Sequence, residues 1–304
     1  MKIFKKIYYS LQYHYMFATQ KRDKNIEADN RAGLISFRPR EISHIELPKN
    51  IWLYWDGEIP ELVSRCIQVI KDKNPAFKVT VLNAENLEQF CDTQYCNIQG
   101  IALQHKTDLV RLNLLYKFGG IWLDASTILN RDLNWIEALM HEYQAELFSY
   151  YRKNNTTVLE YPVIENWLLA SVKGNIFIKQ WLDELLKANQ MGAKNYIQDL
   201  KNNEKNAQEL FQHIGNIEYL FAYVACQKVM REDQPNLVVL DCDENALMYQ
   251  VKDRWVKEKI LIDLAVNFRP VSEPYLIKLA RKERNYLYKY YNQRKYLQGS
   301  FLDF

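Results

Sequence analysis

Hydrophobic positions along the chain come in short runs separated by helical stretches. Ile51, Trp52, Leu53, Tyr54 and Trp55 form an apolar run of β-formers, bounded by Pro48 and by Asp56-Gly57. That pattern predicts a buried strand ending in a turn. Pro60 then opens a helix, with Leu62, Val63, Cys66, Ile67 and Ile70 at helical spacing, and Asn74-Pro75 stops it. Phe77 to Leu82 reads as a second strand, and Asn83 can cap a short helix from Ala84. Strand, helix, strand, helix implies a parallel sheet with helices on its faces. Residues 101–118 predict a longer helix that ends at Gly119-Gly120. Further strands are expected at 121–124 (IWLD), 145–150 (AELFSY), 165–171 (ENWLLAS) and 237–240 (LVVL), with helices near 175–189 and 206–231. Residues 46–171 are thus expected to form a parallel α/β half, and the rest to be more helical.

The two ends have a chemistry of their own. In the first 22 residues, Ile3, Phe4, Ile7, Tyr8, Leu11 and Tyr15 fall on one side of a helix, while Lys2, Lys5, Lys6 and Lys21 crowd the rest. A polar connector follows, broken by RPRE at 38–41. From Lys278 to Lys295, Lys278, Arg281, Lys282, Arg284, Lys289, Arg294 and Lys295 are interleaved with Tyr286, Tyr288, Tyr290 and Tyr291. Basic residues among aromatics suit an anionic lipid surface. They equally suit a solvated helix whose tyrosines pack on the body. The expected organisation is an N-terminal amphipathic helix and connector (1–45), a main domain (46–275) and a basic, tyrosine-rich C-terminal helix (276–304).

Composition narrows the class. Of the 304 residues, 48% are hydrophobic and 25% charged, which excludes a disordered chain. A net charge of +3 gives no support for wrapping nucleic acid, and no nucleic-acid partner is expected. Basic-aromatic ends also fit single strands, as a weaker competitor to lipid. The five cysteines, Cys66, Cys91, Cys96, Cys226 and Cys242, are scattered and odd in number, so free thiols are expected rather than a disulfide framework. No apolar run is long enough to span a membrane, and the N-terminus lacks the h-region of a secretory signal. The expected location is the cytoplasm, resting peripherally on the inner face of the cell membrane.

The segment HKTDLVRLNLLYKFGGIWLDAS (105–126) carries the candidate chemistry. Asp108 and Arg111 are three apart on one helix and share a face. The strand that follows ends in Asp124, where ligands sit in open α/β sheets. A buried carboxylate there needs a cation or donor as partner. A structural reading makes Asp108–Arg111 an ion pair and Asp124 a turn residue. The double glycine favours function, because a tight reversal brings all three to one rim.

DLVRLNLLYKFGGIWLDAS resembles the D-x-x-R…GG-[IVW]-[WY]-x-D signature of the glycosyltransferase family 32-like, capsular polysaccharide synthesis proteins. ELPKNIWLYWDGEIPELVSRCIQVIKDKNPAFKVTVLN is similar to the same family's opening. The resemblance covers residues 46–171. It implies a GT-A-like α/β fold and a nucleotide-sugar donor, with a UDP-sugar favoured and anomeric configuration retained. The implied acceptor is an oligosaccharide or lipid-linked glycan of a growing cell-surface polysaccharide. It also implies a divalent cation, Mn²⁺ or Mg²⁺. Carried over, Trp55 stacks on the nucleotide base, Asp108 and Arg111 hold the transferred sugar, and Asp124 is the first carboxylate of the DXD element. The third position of that element is Ser126, which supplies no charge to a hard cation. Asp124 and Ser126 are therefore expected to form a weak metal site, or one completed by the donor diphosphate. Glu165 and Asn166 are candidates facing the acceptor or the reacting sugar, with a strand cap as the alternative, and Lys278 and Arg281 are basic candidates to close over the diphosphate. His105, His141 and His213 lack the spacing of metal ligands. Beside the transferase stands a second expectation, a non-catalytic glycan-binding or scaffold module on a degenerate transferase fold.

Overall fold

The computed structural model describes residues 2–42, 45–98 and 100–304, with side chains from residue 4 onward. Ile3 and Lys2 of the expected N-terminal stripe therefore lie outside the described side chains. The strands are β1 (Ile35–Phe37), β2 (Asn50–Tyr54), β3 (Lys78–Leu82), β4 (Gly120–Leu123), β5 (Thr127–Leu129), β6 (Leu147–Tyr151), β7 (Ile164–Ser171), β8 (Leu237–Asp241) and β9 (Leu276–Lys278). Seven of them form one sheet in the order β1-β8-β6-β7-β4-β2-β3, and β5 pairs with β9 in a separate ribbon. β2 is parallel to β3 and β4, and β6 is parallel to β8. β7 is antiparallel to both of its neighbours, and β1 to β8. The architecture is of the expected α/β class, a seven-stranded sheet flanked by helices, with three parallel and three antiparallel pairings. The segment ENWLLAS departs from the expected parallel half, since it runs against β4 and β6.

Strand residues alternate between the two faces of the sheet, as a two-residue period requires. Trp52, Trp122, Leu147, Leu237 and Val239 pack into one apolar cluster with the helices Leu103–Phe118, Ile176–Met191 and Phe221–Glu232. Ile51, Leu53, Ile121, Leu123, Phe148 and Val238 join the opposite cluster, with the helices Glu61–Lys73 and Asn134–Glu142. A third cluster gathers Tyr13 and Met16 of the N-terminal helix Lys2–Thr19 with Ile260, Leu264, Leu287, Tyr291 and Phe301.

The helix Leu103–Phe118 buries Asp108 to Leu115 without interruption, which fits a helix held between sheet and helix rather than on the surface. Gly119 and Gly120 take φ of +63° and +95°, values that favour glycine, and the Gly119 N–H closes the helix on Leu115 O at 2.9 Å. A Cβ on Gly120 would lie 2.9 Å from Asn50 Cβ and collide with the Asn50 carbonyl. The glycine therefore lets β4 lie against β2.

Several expected elements are altered. The connector before residue 45 contains β1, which extends the main sheet. The helix expected over 206–231 is two helices, Ala207–Phe211 and Phe221–Glu232. Gln212 turns at φ 41° between them, and its Oε1 accepts from the Thr157 N–H at 2.7 Å, tying the break to a neighbouring loop. The helix expected from Ala84 is instead a turn followed by a single 3-10 turn, Leu87–Gln89; Asn83 Oδ1 holds that turn by accepting from the Glu85 and Asn86 N–H groups, both at 3.0 Å. All five cysteines are free and buried. Among the described residues, no helix is long and apolar enough to cross a membrane.

The terminal segments behave differently from each other. On the N-terminal helix, Phe4, Ile7, Tyr8, Leu11 and Tyr15 are exposed, while Tyr13 and Met16 are buried beneath. The C-terminal helix Arg281–Asn292 instead turns Leu287 and Tyr291 into the core and packs Tyr286, Tyr288 and Tyr290 against it. Its tyrosines follow the packed alternative, not the lipid-facing one.

Candidate active site

β2 and β4 are parallel neighbours in register Trp52↔Trp122, so both end at one edge of the sheet. β7 starts at that edge because it runs the other way, and the Asp124 N–H continues the pairing by donating to Trp167 O at 2.9 Å. Asp124, Trp167 and Asn166 are thereby placed side by side. Helix Leu103–Phe118 brings Asp108 and Arg111 to the same edge. An open cavity of about 600 Å³ lies there, lined by Trp55, Asp108, Arg111, Asp124, Ser126 and Asn166 among others.

The polar groups form one network. Arg111 Nη1 donates to Asp108 Oδ1 at 2.5 Å, and its Nη2 stands 3.5 Å from Asp124 Oδ1. Asn166 Nδ2 also donates to Asp108 Oδ1, at 3.0 Å. The Tyr223 hydroxyl shares its proton between Glu165 Oε2 at 2.9 Å and Asn166 Oδ1 at 3.2 Å. The Arg111 guanidinium also lies 4.8 Å above the Trp122 ring, whose Nε1 donates to Asp124 at 3.4 Å. Asp108 and Arg111 are each only 5% exposed, so neither exchanges partners freely with water.

Charge arrives from the far end of the chain. β5 pairs antiparallel with β9 in register Thr127↔Lys278, which sets Lys278 beside the turn after β4. Lys278 Nζ forms an ion pair with Asp124 Oδ2. Arg284, one turn into the C-terminal helix, lies 4.7 Å above the Trp55 ring and donates to Ser126 Oγ at 3.3 Å. Trp55 is itself fixed by its Nε1 donating to Glu58 O at 3.0 Å.

The two central carboxylates are pushed in opposite directions. Burial raises the pKa of Asp108 above its ordinary 3.8, against the opposing pull of Arg111. Burial also acts to raise Asp124, but Lys278 and Arg111 together outweigh it, and its pKa is lowered. Glu165 is raised by burial, with Arg152 and Tyr223 opposing.

All the residues singled out from the sequence except Glu165 line the cavity; Glu165 is held behind Asn166 by Tyr223. Sequence reasoning did not single out Tyr223, which sits in a helix without a motif. Among the described residues, no three His, Cys, Asp or Glu side chains converge to hold a metal.

An ionic network and an aromatic ring thus converge where β2 and β4 end, at one edge of the α/β sheet. The chain belongs to the capsular polysaccharide synthesis protein family, whose model matches residues 4–212. It is 29% identical over 200 residues to the O-glycosyltransferase braB of Annulohypoxylon truncatum, a match over 59% of this chain and 45% of that protein. It is 25% identical over 186 residues to the glycosyltransferase afumC of Aspergillus fumigatus, covering 54% and 46%. A probable glycosyltransferase, FCK3 of Fusarium pseudograminearum, is 26% identical over 184 residues, covering 54% and 44%. The chain thus spans about half the length of these fungal relatives. Among solved structures, the PaToxG glycosyltransferase aligns over 94% of this chain and 96% of its own, at 13% identity and a TM-score of 0.40, a likeness too loose to argue from.

Proposed function

We propose that the protein transfers a sugar from a nucleoside-diphosphate donor, a UDP-sugar in first place, to an oligosaccharide or lipid-linked glycan acceptor, with retention of configuration. The observation that carries this reading is the convergence of Asp108, Arg111, Asp124 and Asn166 in one cavity beside Trp55 and a cationic wall. The glycosyltransferase names of the relatives support it. In this reading residues 46–275 carry the transfer chemistry, and 276–304 complete the donor site.

The chemistry follows from the charges. Breaking a sugar–phosphate bond leaves negative charge growing on the diphosphate. Fixed cations aimed at that charge stabilise the transition state more than the ground state. Arg111, Lys278, Arg281 and Arg284 line the cavity and supply them. Asp108 Oδ1 is taken by Arg111 and Asn166, which leaves Oδ2 to accept from a sugar hydroxyl. Trp55 offers its ring to the base, and Glu165 acts through Tyr223 and Asn166 to position Asp108. The competing reading, a non-catalytic glycan-binding module, is favoured only by Ser126. A thermal-shift screen across UDP- and GDP-sugars separates them from a protein with no donor site. Saturating donor at 100 times Kd adds about 2.7 kcal/mol to stability. The expected result is a shift with at least one donor that Trp55→Ala reduces. No shift with any donor would overturn the reading.

The exposed stripe Phe4, Ile7, Leu11 and Tyr15, flanked by exposed Lys5 and Lys6, supports peripheral docking on an anionic membrane next to a lipid-linked acceptor. Co-sedimentation with phosphatidylserine vesicles should be lost in Ile7→Glu/Leu11→Glu. Equal sedimentation of that variant would refute the docking.

A further inference from the structure

We infer that Lys278 and Arg284 supply, at the donor diphosphate, the positive charge that a divalent cation would otherwise bring, so that nucleoside diphosphate binds here without metal. The inference rests on the sugar-transfer reading of the site. It begins from a donor set that does not fit a hard divalent cation. Such an ion takes six or more oxygen ligands and favours carboxylates. The position for a second carboxylate is Ser126, whose side chain belongs to a residue only 2% exposed. Its hydroxyl is used in both directions, donating to Leu279 O at 3.2 Å and accepting from Arg284 at 3.3 Å. The remaining carboxylate, Asp124, is engaged at both oxygens: Lys278 holds Oδ2, and Arg111 and Trp122 approach Oδ1 at 3.5 and 3.4 Å. A dication placed between them would meet three like charges at close range.

Lys278 is also a fixed group rather than a passing surface lysine. Its backbone is locked in the β5–β9 ribbon, with the Lys278 N–H donating to Ala246 O at 3.0 Å and the Leu279 N–H to Ser126 O at 3.1 Å. Gln250 Nε2 donates to the Lys278 carbonyl at 2.5 Å. Its side chain is 12% exposed and emerges where the turn after β4 opens to the cavity. Arg284 is steadied by Trp55. Four cationic residues, Arg111, Lys278, Arg281 and Arg284, face three carboxylates, Asp56, Asp108 and Asp124, around one cavity. That balance attracts a diphosphate and leaves little reason to attract a metal.

Calorimetric titration with UDP, GDP, CDP and dTDP, each in EDTA and in MnCl₂, tests this. The expected result is at least one nucleotide that binds with affinities agreeing within about threefold in the two buffers. Lys278→Met should weaken that binding by about tenfold or more in EDTA. Arg284→Gln, at a half-buried position in the first turn of the C-terminal helix, should weaken it too and serves if Lys278→Met does not fold, as judged by circular dichroism. Manganese electron paramagnetic resonance should show no protein-bound ion in the absence of nucleotide. Binding seen only in MnCl₂, or a folded Lys278→Met that binds as well as the parent in EDTA, would overturn the inference and leave sugar transfer standing. No binding of any of the four in either buffer would overturn both.

Discussion

Replacing Arg111 by Met isolates the pair at the centre of the site. Both partners are only 5% exposed, and they share a 2.5 Å charged hydrogen bond. Removing one partner of a buried pair strands the other charge, which costs about 3–5 kcal/mol. Asn166 remains on Asp108, but an amide offsets only part of that. The double variant Asp108→Asn/Arg111→Met removes the stranded charge and should recover about 2 kcal/mol or more of the loss. Urea denaturation of the parent, both single variants and the double variant gives the cycle, provided the slope m is unchanged. The pH dependence has a defined sign. Burial already raises Asp108 above 3.8, with Arg111 as the largest opposing influence, so its loss raises the pKa further. A carboxyl with a native pKa above its unfolded one contributes stability that is complete below the unfolded value and lost as pH rises through the native value. The deficit of Arg111→Met relative to the parent should therefore shrink as pH falls from neutrality toward the ordinary carboxylate range. A deficit under about 1 kcal/mol, or a double variant no more stable than Arg111→Met, would refute the stranded-charge reasoning.

Other perturbations probe the supports of the site. Tyr223→Phe deletes the hydroxyl that joins Glu165 and Asn166 without opening a cavity, so it should cost about 1 kcal/mol in denaturation and lower kcat/KM for the donor. Trp55→Ala should raise the donor KM with little effect on kcat, by the loss of about 1–3 kcal/mol of base stacking, and Trp55→Phe should retain part of it. Gly120→Ala meets Asn50 at a φ of +95° and should cost about 2–3 kcal/mol, read as a lower Tm and lower soluble yield.

The local part of this site was legible in sequence because its signals are local. An apolar run, a four-residue helical period and a double glycine locate β2, the helix Leu103–Phe118 and β4 to within about two residues. The same signals put Asp108, Arg111 and Asp124 at one rim. What escaped reading depends on distant pairing. β5 and β9 have three residues each, too short for periodicity, yet their pairing is what carries Lys278 to Asp124. ENWLLAS reads as a strand by composition, but its direction is set by the neighbours it joins. Tyr223 reaches Glu165 and Asn166 only because Phe221–Glu232 packs across β7. On the N-terminal helix the period revealed two faces and not which one would be covered. Tyr13 and Met16 are buried, and the more apolar stripe faces outward.

Cleavage of a sugar–phosphate bond in the cavity around Asp124 can be followed directly. Phosphorus NMR of a panel of nucleotide-sugars, incubated with the parent protein and with Asp124→Ala, follows release of nucleoside diphosphate directly. Release from at least one donor is expected with the parent, reduced by about a hundredfold or more in a folded Asp124→Ala, which loses the carboxylate that orients Lys278 and Arg111. No release from any donor, or equal release by Asp124→Ala, would contradict cleavage at this site.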